Sequence, residues 1–297
     1  MNLISKRTIK NLLQRYQIRP SKRLGQNFLI DEGVIKRVIE AAQLSQNDIV
    51  LEIGPGIGNL TMELAKRVKK VIAIEKDLKM IEILKETLKE FENVEIIQGD
   101  ILKIGLKSKI LNLKSYKVVA NLPFYITAPV IRKFLEAVDA RPQQMVLVVQ
   151  KEVAQRICAK APDMTRSTSS GSSRTSRGMS ILAVSVQFYA EPKIISYISK
   201  KSFWPSPKVD SAIIKIVPRQ FRVPVSRQFR ERFFRIVKAG FSQPRKQILN
   251  NFSEMLKLNK PQVKSWLLKN NIHPTQRAET LTIEDWTKLT KIFKINQ

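Results

Sequence analysis

The chain has 297 residues, of which 53 are Lys or Arg and 25 are Asp or Glu, for a formal net charge of +28 and a pI near 10.3. Hydrophobic residues make up 43%, enough to bury a core in one large domain or two ordinary ones, which excludes a mainly disordered chain. The longest apolar stretches, such as Met145 to Gln150, are far shorter than a membrane helix, and the polar start MNLISKRTIKN has no signal-peptide core. These features read as a soluble, cytoplasmic protein with no membrane partner. One cysteine, Cys158, and one histidine, His273, supply neither an intrachain disulfide nor a Cys/His metal site, so no metal is expected.

In chain order, a basic arm comes first. Seven Lys or Arg (Lys6, Arg7, Lys10, Arg15, Arg19, Lys22, Arg23) precede Asp31 without one acid. Solubility needs neither a single sign nor clustering, so this segment, taken as residues 1–24, points to a polyanion, above all nucleic acid. Asp31 then caps a predicted helix whose apolar positions Val34, Ile35, Val38, Ile39 and Ala42 follow the helical period. From Asp48, apolar runs (DIVLEIG, VIAIEKD, NVEIIQGD, KVVANLPF, QMVLVVQ) alternate with helical patterns at 60–68, 78–91 and 128–138. Near-continuous apolar strands separated by helices indicate a parallel sheet covered on both faces, a doubly wound α/β domain.

The segment Thr165 to Gly178, TRSTSSGSSRTSRG, has no apolar residue and reads as a mobile loop or linker. Strand character extends through VDSAIIKIV to Pro218, where a domain boundary is placed. Beyond it, aromatic anchors recur at helical spacing: Phe229, Phe233, Phe234 and Val237, then Trp266 and Leu267, then Trp286, Leu289 and Phe293 behind a Thr282/Asp285 capping box. Residues 1–218 thus read as the α/β domain and 219–297 as a smaller all-helical domain that binds RNA. Nine Lys or Arg lie between Pro218 and Asn250, with Glu231 the only acid, and Arg245 and Lys246 among them are candidate RNA-backbone contacts.

The first strand ends in LEIGPGIGNLT, where Glu52, Gly54, Gly56 and Gly58 form E-x-G-x-G-x-G. Glycine belongs where a backbone turns sharply out of a strand and must approach a ligand closely. Dinucleotide sites read G-x-G-x-x-G or A, whereas here Asn59 fills the last place, which favours a different nucleoside. Glu75 ends the second strand 21 residues after Gly54, where an acid accepts hydrogen bonds from ribose hydroxyls; Asp100 ends the third, within reach of an adenine, and Asn121 the fourth. Four successive strand ends with polar groups mark the carboxyl edge of the sheet as a ligand site.

Asn121-Leu122-Pro123-Phe124, directly after an apolar strand, resembles the N-[L/I]-P-[Y/F] motif of the ribosomal RNA adenine dimethyltransferases. The resemblance extends from about Arg23 to Leu289 and implies a Rossmann-like class I methyltransferase domain that uses S-adenosylmethionine. RLGQNFLID (Arg23 to Asp31) is similar to the family's N-terminal cofactor segment, which implies that Gln26, Asn27 and Leu29 line the methionine and nucleoside end. FWPSPKVDSA (Phe203 to Ala212) is similar to a late motif whose first aromatic packs on the target base, which assigns Phe203 to stacking. FSQPRKQILNNF and RAETLTIEDW resemble the bacterial branch acting on small-subunit RNA.

The chemistry follows physically. An adenine amine delocalises its lone pair into the ring and is a poor nucleophile. Acceptance of its two N–H bonds by the Asn121 side-chain carbonyl and the Leu122 backbone carbonyl would favour a pyramidal nitrogen. Pro123 stiffens that backbone, and Phe124 offers a stacking face worth about 1–3 kcal/mol. No titratable base is needed. The resemblance implies that the chain dimethylates two adjacent adenines in a hairpin loop near the 3′ end of small-subunit (16S) ribosomal RNA in a pre-ribosomal particle; nothing in the sequence demands a dimer, and a monomer is expected. Alternatives are a non-catalytic RNA-binding assembly factor, a large-subunit methyltransferase of the antibiotic-resistance type, and a DNA adenine methyltransferase, for which 79 helical residues after Pro218 are too few.

Overall fold

The computed structural model describes residues 1–21, 24–105, 115–137, 141–162, 178–219 and 225–293. The chain divides into two compact units, Met1–Ala154 with Ala190–Pro218, and Gln155–Tyr189 with Arg219–Gln297. A single boundary at Pro218 therefore does not describe the division, because residues from 155 to 189 group with the C-terminal helices. Their contacts explain why. The Phe188 ring lies 4.2 Å from Phe233 and 5.6 Å from Phe234, and Met179 N donates to Glu279 O at 2.9 Å. The Ser/Thr/Arg segment expected to be a loop lies, up to residue 177, outside the described residues, as do Lys22 and Arg23.

The first unit is built on strands β1 (Phe28–Leu29), β2 (Ile49–Ile53), β3 (Lys70–Glu75), β4 (Val94–Gln98), β5 (Lys117–Asn121), β6 (Met145–Gln150), β7 (Ala190–Ile198), β8 (Phe203–Trp204) and β9 (Ser211–Pro218). Seven of them form one sheet in the order β4-β3-β2-β5-β6-β9-β7, parallel from β4 to β6 and antiparallel at β9 and β7. All five positions of β6 from Met145 to Val149 are buried, as a strand covered on both faces requires. The chain runs outward from β2 through β3 to β4 and returns to β5 on the other side of β2. That reversal opens a crevice at the carboxyl ends of β2 and β5, the place where open α/β sheets take ligands.

Helices α1 (Lys6–Arg15), α2 (Glu32–Ala42), α3 (Asn59–Ala65), α4 (Leu78–Thr87) and α5 (Thr127–Glu136) accompany these strands; α6 (Lys151–Ile157) follows β6 and ends across the division between the units. Asp31 caps α2 as predicted, its side chain accepting from Val34 N at 3.1 Å while Ser202 Oγ donates to its other oxygen at 2.7 Å. The basic arm is more than an arm. Ser5 caps α1, and Ile9, Leu12 and Leu13 are buried against Phe28, Ile57, Met80 and Ile83, while Lys6, Arg7 and Lys10 face solvent. Each such buried aliphatic side chain contributes about 1.5–3 kcal/mol by removal from water, which holds this segment on the sheet domain.

The second unit holds α7 (Ile181–Tyr189), α8 (Arg227–Gly240), α9 (Ile248–Leu256), α10 (Lys260–Leu268) and α11 (Ile283–Ile292). Of the aromatics read from the sequence, Phe233 and Trp286 are fully buried and Phe229 and Phe234 half-buried; the core also takes in Phe252, fully buried, and Phe241, stacked on Trp286 at 5.5 Å. The Thr282/Asp285 capping box is present at α11. No helix among the described residues is long and apolar enough to cross a membrane.

Candidate active site

The cleft at the carboxyl edge of the sheet encloses about 1020 Å³ of space that opens to solvent. Its walls come from the ends of β2, β3 and β5, from the turn after β4, and from residues 24–29, which pass over them. That crossing segment is secured at both ends. Gln26 Nε2 donates to Asp77 Oδ2 at 2.9 Å, and Asn27 O accepts from Asn121 Nδ2 at 3.1 Å. Gly25, at φ +65°, sits so close over the tetrapeptide that a Cβ there would meet Pro123 Cβ at 3.1 Å, so the segment tolerates only glycine at this point. Leu29 is buried and lines the cleft, its carbonyl accepting from Asn59 Nδ2.

The glycine turn has the conformation its spacing demanded. Gly54, Gly56 and Gly58 all have positive φ, and a Cβ on Gly56 would press on the Phe28 ring at 3.3 Å. Beside it stand two buried carboxylates. Glu75 Oε1 accepts from the backbone N of Lys76 at 2.7 Å and of Asp77 at 2.8 Å, and Oε2 meets only Gly56 N, at 3.4 Å. Oε2 thus keeps acceptor capacity toward the cleft. Burial raises the Glu75 pKa above the ordinary carboxylate value, against the pull of those three N–H groups. Asp100 is differently committed. Lys76 Nζ pairs with its Oδ2 at 2.9 Å and Leu102 N donates to Oδ1 at 3.0 Å, and the Lys76 bond foremost holds its pKa low.

Glu52 is the residue the sequence displayed without a role. It is 1% exposed, lines the cleft, and its Oε2 has no hydrogen-bond partner among the described residues. Burial pushes its pKa up to about 8 from an ordinary 4.5; the Thr61 hydroxyl beside it offsets part of this without reaching hydrogen-bond geometry, and the charge of Glu75 adds to it. In a chain of net charge +28, a cleft with two buried carboxyl groups, one of them protonated until a cation lies beside it, fits a cationic nucleoside. S-adenosylmethionine is one, with an ammonium and a sulfonium against a single carboxylate. Glu52, Glu75, Gly54, Gly56 and the 26–29 segment are the residues that would hold it.

The sign of the Glu52 effect is testable. The folded, donor-free chain retains a proton on Glu52 that the unfolded chain releases near its ordinary value, so folding stability falls as pH rises from about 4.5 to 8. By pH 7 that loss is roughly 3 kcal/mol at most. Relative to the wild type, Glu52→Gln is expected to gain several degrees in Tm between pH 5 and pH 8.5, whatever its offset at pH 5. Parallel Tm curves across that range would mean that Glu52 is already ionised in the folded state.

At the end of β5 the Asn121 amide has a defined orientation. Because a backbone carbonyl only accepts, the bond to Asn27 O assigns Nδ2 to that side and leaves Oδ1 pointing the other way. Leu122 N donates to Val148 O at 3.1 Å, and Ile126 N to Pro123 O at 3.1 Å, which immobilises the peptides carrying the tetrapeptide. The aromatic expectations need revision. Phe203 is 3% exposed and packed in the core with Leu29, Val34 and Ile213, because β8 pairs with β1 and turns that ring inward; it offers no face to a base. Phe124 is half-buried and outside the cleft wall, whereas Tyr125, 55% exposed, lines it. Arg245 and Lys246 are exposed in the second unit, Lys246 lying 3.7 Å from Glu254. Among the described residues no cluster of metal-ligating side chains is present.

Residues 18–294 match the model of a family described as ribosomal RNA adenine dimethylase. Over 280 residues, 94% of this chain and 90% of the relative, the sequence is 42% identical to a ribosomal RNA small subunit methyltransferase A of Dehalococcoides mccartyi (strain CBDB1). It is 38% identical over 294 residues to the protein of that name from Clostridioides difficile (strain 630), covering 98% and 96% of the two chains. Among solved structures, a dimethyladenosine transferase from Plasmodium falciparum superposes with a TM-score of 0.67 at 27% identity, covering 87% of this chain and 94% of that one. The 23S rRNA methyltransferase ErmE matches with the same score and identity, over 89% and 98%. These matches run along almost the whole sequence, and the chain belongs to the ribosomal RNA adenine dimethylase family, whose methyl donor is S-adenosylmethionine.

Proposed function

We propose that this chain dimethylates the N6 amines of two adjacent adenines in the 3′-terminal hairpin loop of small-subunit ribosomal RNA, acting as a cytoplasmic monomer on a pre-ribosomal particle. The observation that carries the reading is the fixed amide of Asn121, whose nitrogen donates to Asn27 O and whose oxygen is thereby turned the other way and left to accept. The names of the relatives favour the small subunit over the large, and the match along 94% of the chain takes in the helical unit as well as the sheet.

When bound, S-adenosylmethionine supplies a methyl group on a sulfonium, with no redox chemistry and no metal. The protein's own part is orientation. Asn121 Oδ1 and the Leu122 carbonyl accept the two hydrogens of the unmodified amine, and one of them accepts the single hydrogen left before the second transfer, drawing the nitrogen out of conjugation; each transfer releases one N–H proton to solvent. The Val148 and Ile126 bonds keep those acceptors in place, and the Phe124 and Tyr125 rings are the aromatic surface beside them. The Glu75 carboxylate takes the ribose hydroxyls, and Glu52 faces the cationic end. Basic side chains, Arg245 and Lys246 among them, hold the RNA backbone with an affinity that falls steeply with salt.

The test is transfer of tritiated methyl groups to small subunits from a strain lacking the modification, followed by mapping of labelled nucleosides. Label in N6,N6-dimethyladenosine at two neighbouring positions of the hairpin is expected. Label in large-subunit RNA, or donor binding without transfer, would replace this reading with the resistance-type or the non-catalytic alternative.

A further inference from the structure

Beyond Asn121 the sheet's carboxyl edge continues through the end of β6, the start of β9 and the end of β7, and an exposed basic and aromatic cluster gathers there. Asp210 organises it. Lys151 N donates to Asp210 O at 3.0 Å and Lys200 N to Asp210 Oδ1 at 3.0 Å, so the starts of two lysine-bearing segments are tied to one residue. Ser206 Oγ donates to Lys200 O at 2.9 Å, bracing the turn that carries Lys200 and Lys201, both exposed. Tyr197, opposite Ala212 in the β7–β9 ladder, is 52% exposed, and the Lys151 ammonium lies over its ring at 5.2 Å.

Strands lie about 4.8 Å apart, which sets β9 roughly 10 Å and β7 roughly 15 Å from the strand that ends in Asn121. A polyanion lying across Asn121 and along this edge meets three lysine side chains and a half-exposed aromatic ring, one face of which the Lys151 ammonium covers. Alternation of cationic groups with a stacking ring is the recognition chemistry of single-stranded nucleic acid, phosphates meeting ammonium groups and a base lying on the ring.

We propose that Tyr197, Lys151, Lys200 and Lys201 form a platform that holds the unpaired nucleotides flanking the target adenine, with a base stacked on Tyr197 and neighbouring phosphates on the lysines. The platform rests on the reading of the Asn121 site as an RNA adenine methyltransferase and adds where the adjoining strand runs. Its occupant is single-stranded RNA, because an exposed base is needed for the ring and a negative backbone for the lysines; a paired stem would offer Tyr197 no base face.

The experiment uses the full chain, unmethylated small subunits and S-adenosylmethionine. Initial rates are measured against subunit concentration at several salt concentrations for the wild type, Tyr197→Ala, Tyr197→Phe and the double variant Lys200→Ala with Lys201→Ala. Loss of one stacked base predicts a rise in KM for the subunit of about tenfold in Tyr197→Ala, reversed in Tyr197→Phe, with the loss falling on KM rather than kcat. The lysine pair is expected to lower the dependence of log KM on log salt by about one for each phosphate contact removed. An unchanged KM in Tyr197→Ala together with an unchanged salt slope in the lysine pair would overturn the platform while leaving the methyltransferase reading intact. Equal losses in Tyr197→Phe and Tyr197→Ala would remove stacking and overturn it too. A wild type that binds donor and transfers no methyl would overturn the underlying reading, and the platform with it.

Discussion

Asn121→Ala is expected to lower kcat by about 10²–10³-fold while weakening S-adenosylmethionine binding far less, through loss of the Asn27 tether alone. The loss follows from geometry, since no other side chain at the end of β5 presents an acceptor held on both sides. Asn121 Nδ2 is anchored on Asn27 O at 3.1 Å, and the following peptide by Leu122 N on Val148 O. Removal of the amide leaves the amine with one acceptor, the Leu122 carbonyl, and its lone pair stays conjugated with the ring. Asn121→Asp sharpens the test. It keeps an acceptor oxygen but has no N–H for Asn27 O, so the two oxygens repel and the crossing segment loosens. Its rate is therefore expected near that of the alanine variant, and turnover at the wild-type rate in either variant would refute the role given to Asn121.

Glu75→Gln is expected to weaken S-adenosylmethionine binding by about 10–100-fold, the equivalent of one charge-assisted hydrogen bond of roughly 1.5–3 kcal/mol. One amide oxygen can still accept from Lys76 N and Asp77 N, as Glu75 Oε1 does, so the β3–α4 turn survives. What is lost is the second oxygen, which meets only Gly56 N at 3.4 Å and is the one free to take ribose hydroxyls. S-adenosylhomocysteine has the same ribose and should weaken by the same factor, a comparison that isothermal titration makes directly. An unchanged constant for both would remove Glu75 from the ribose. A loss confined to S-adenosylmethionine would instead assign Glu75 to its positive charge.

Local spacing by itself determined much of this protein: five parallel strands and the helices between them, the Asp31 and Thr282 caps, the glycine turn after β2, the acids at the ends of β3 and β4, and the tetrapeptide after β5. All of these are written within a few residues, because apolar period, glycine and a capping oxygen act on the backbone beside them. The Ile9, Leu12 and Leu13 spacing of α1 is equally local, but in the sequence it is interleaved with the arm's positive charges, and only its packing on Phe28 and Met80 shows it as a docked helix. Only tertiary structure decided the rest. Ile181–Tyr189, ILAVSVQFY, carries no strong helical period, and it is a helix whose Phe188 packs on Phe233 and Phe234. Phe203 follows its motif in sequence yet faces the core, because β8 pairs with β1, 174 residues away in the register Leu29 to Phe203. Which way the Asn121 amide oxygen points depends on Asn27, and which oxygen of Glu75 keeps spare capacity depends on Gly56. Spacing along a chain specifies what each segment can form, whereas burial, amide orientation and spare acceptor capacity are set by neighbours that meet only when distant segments close on one another.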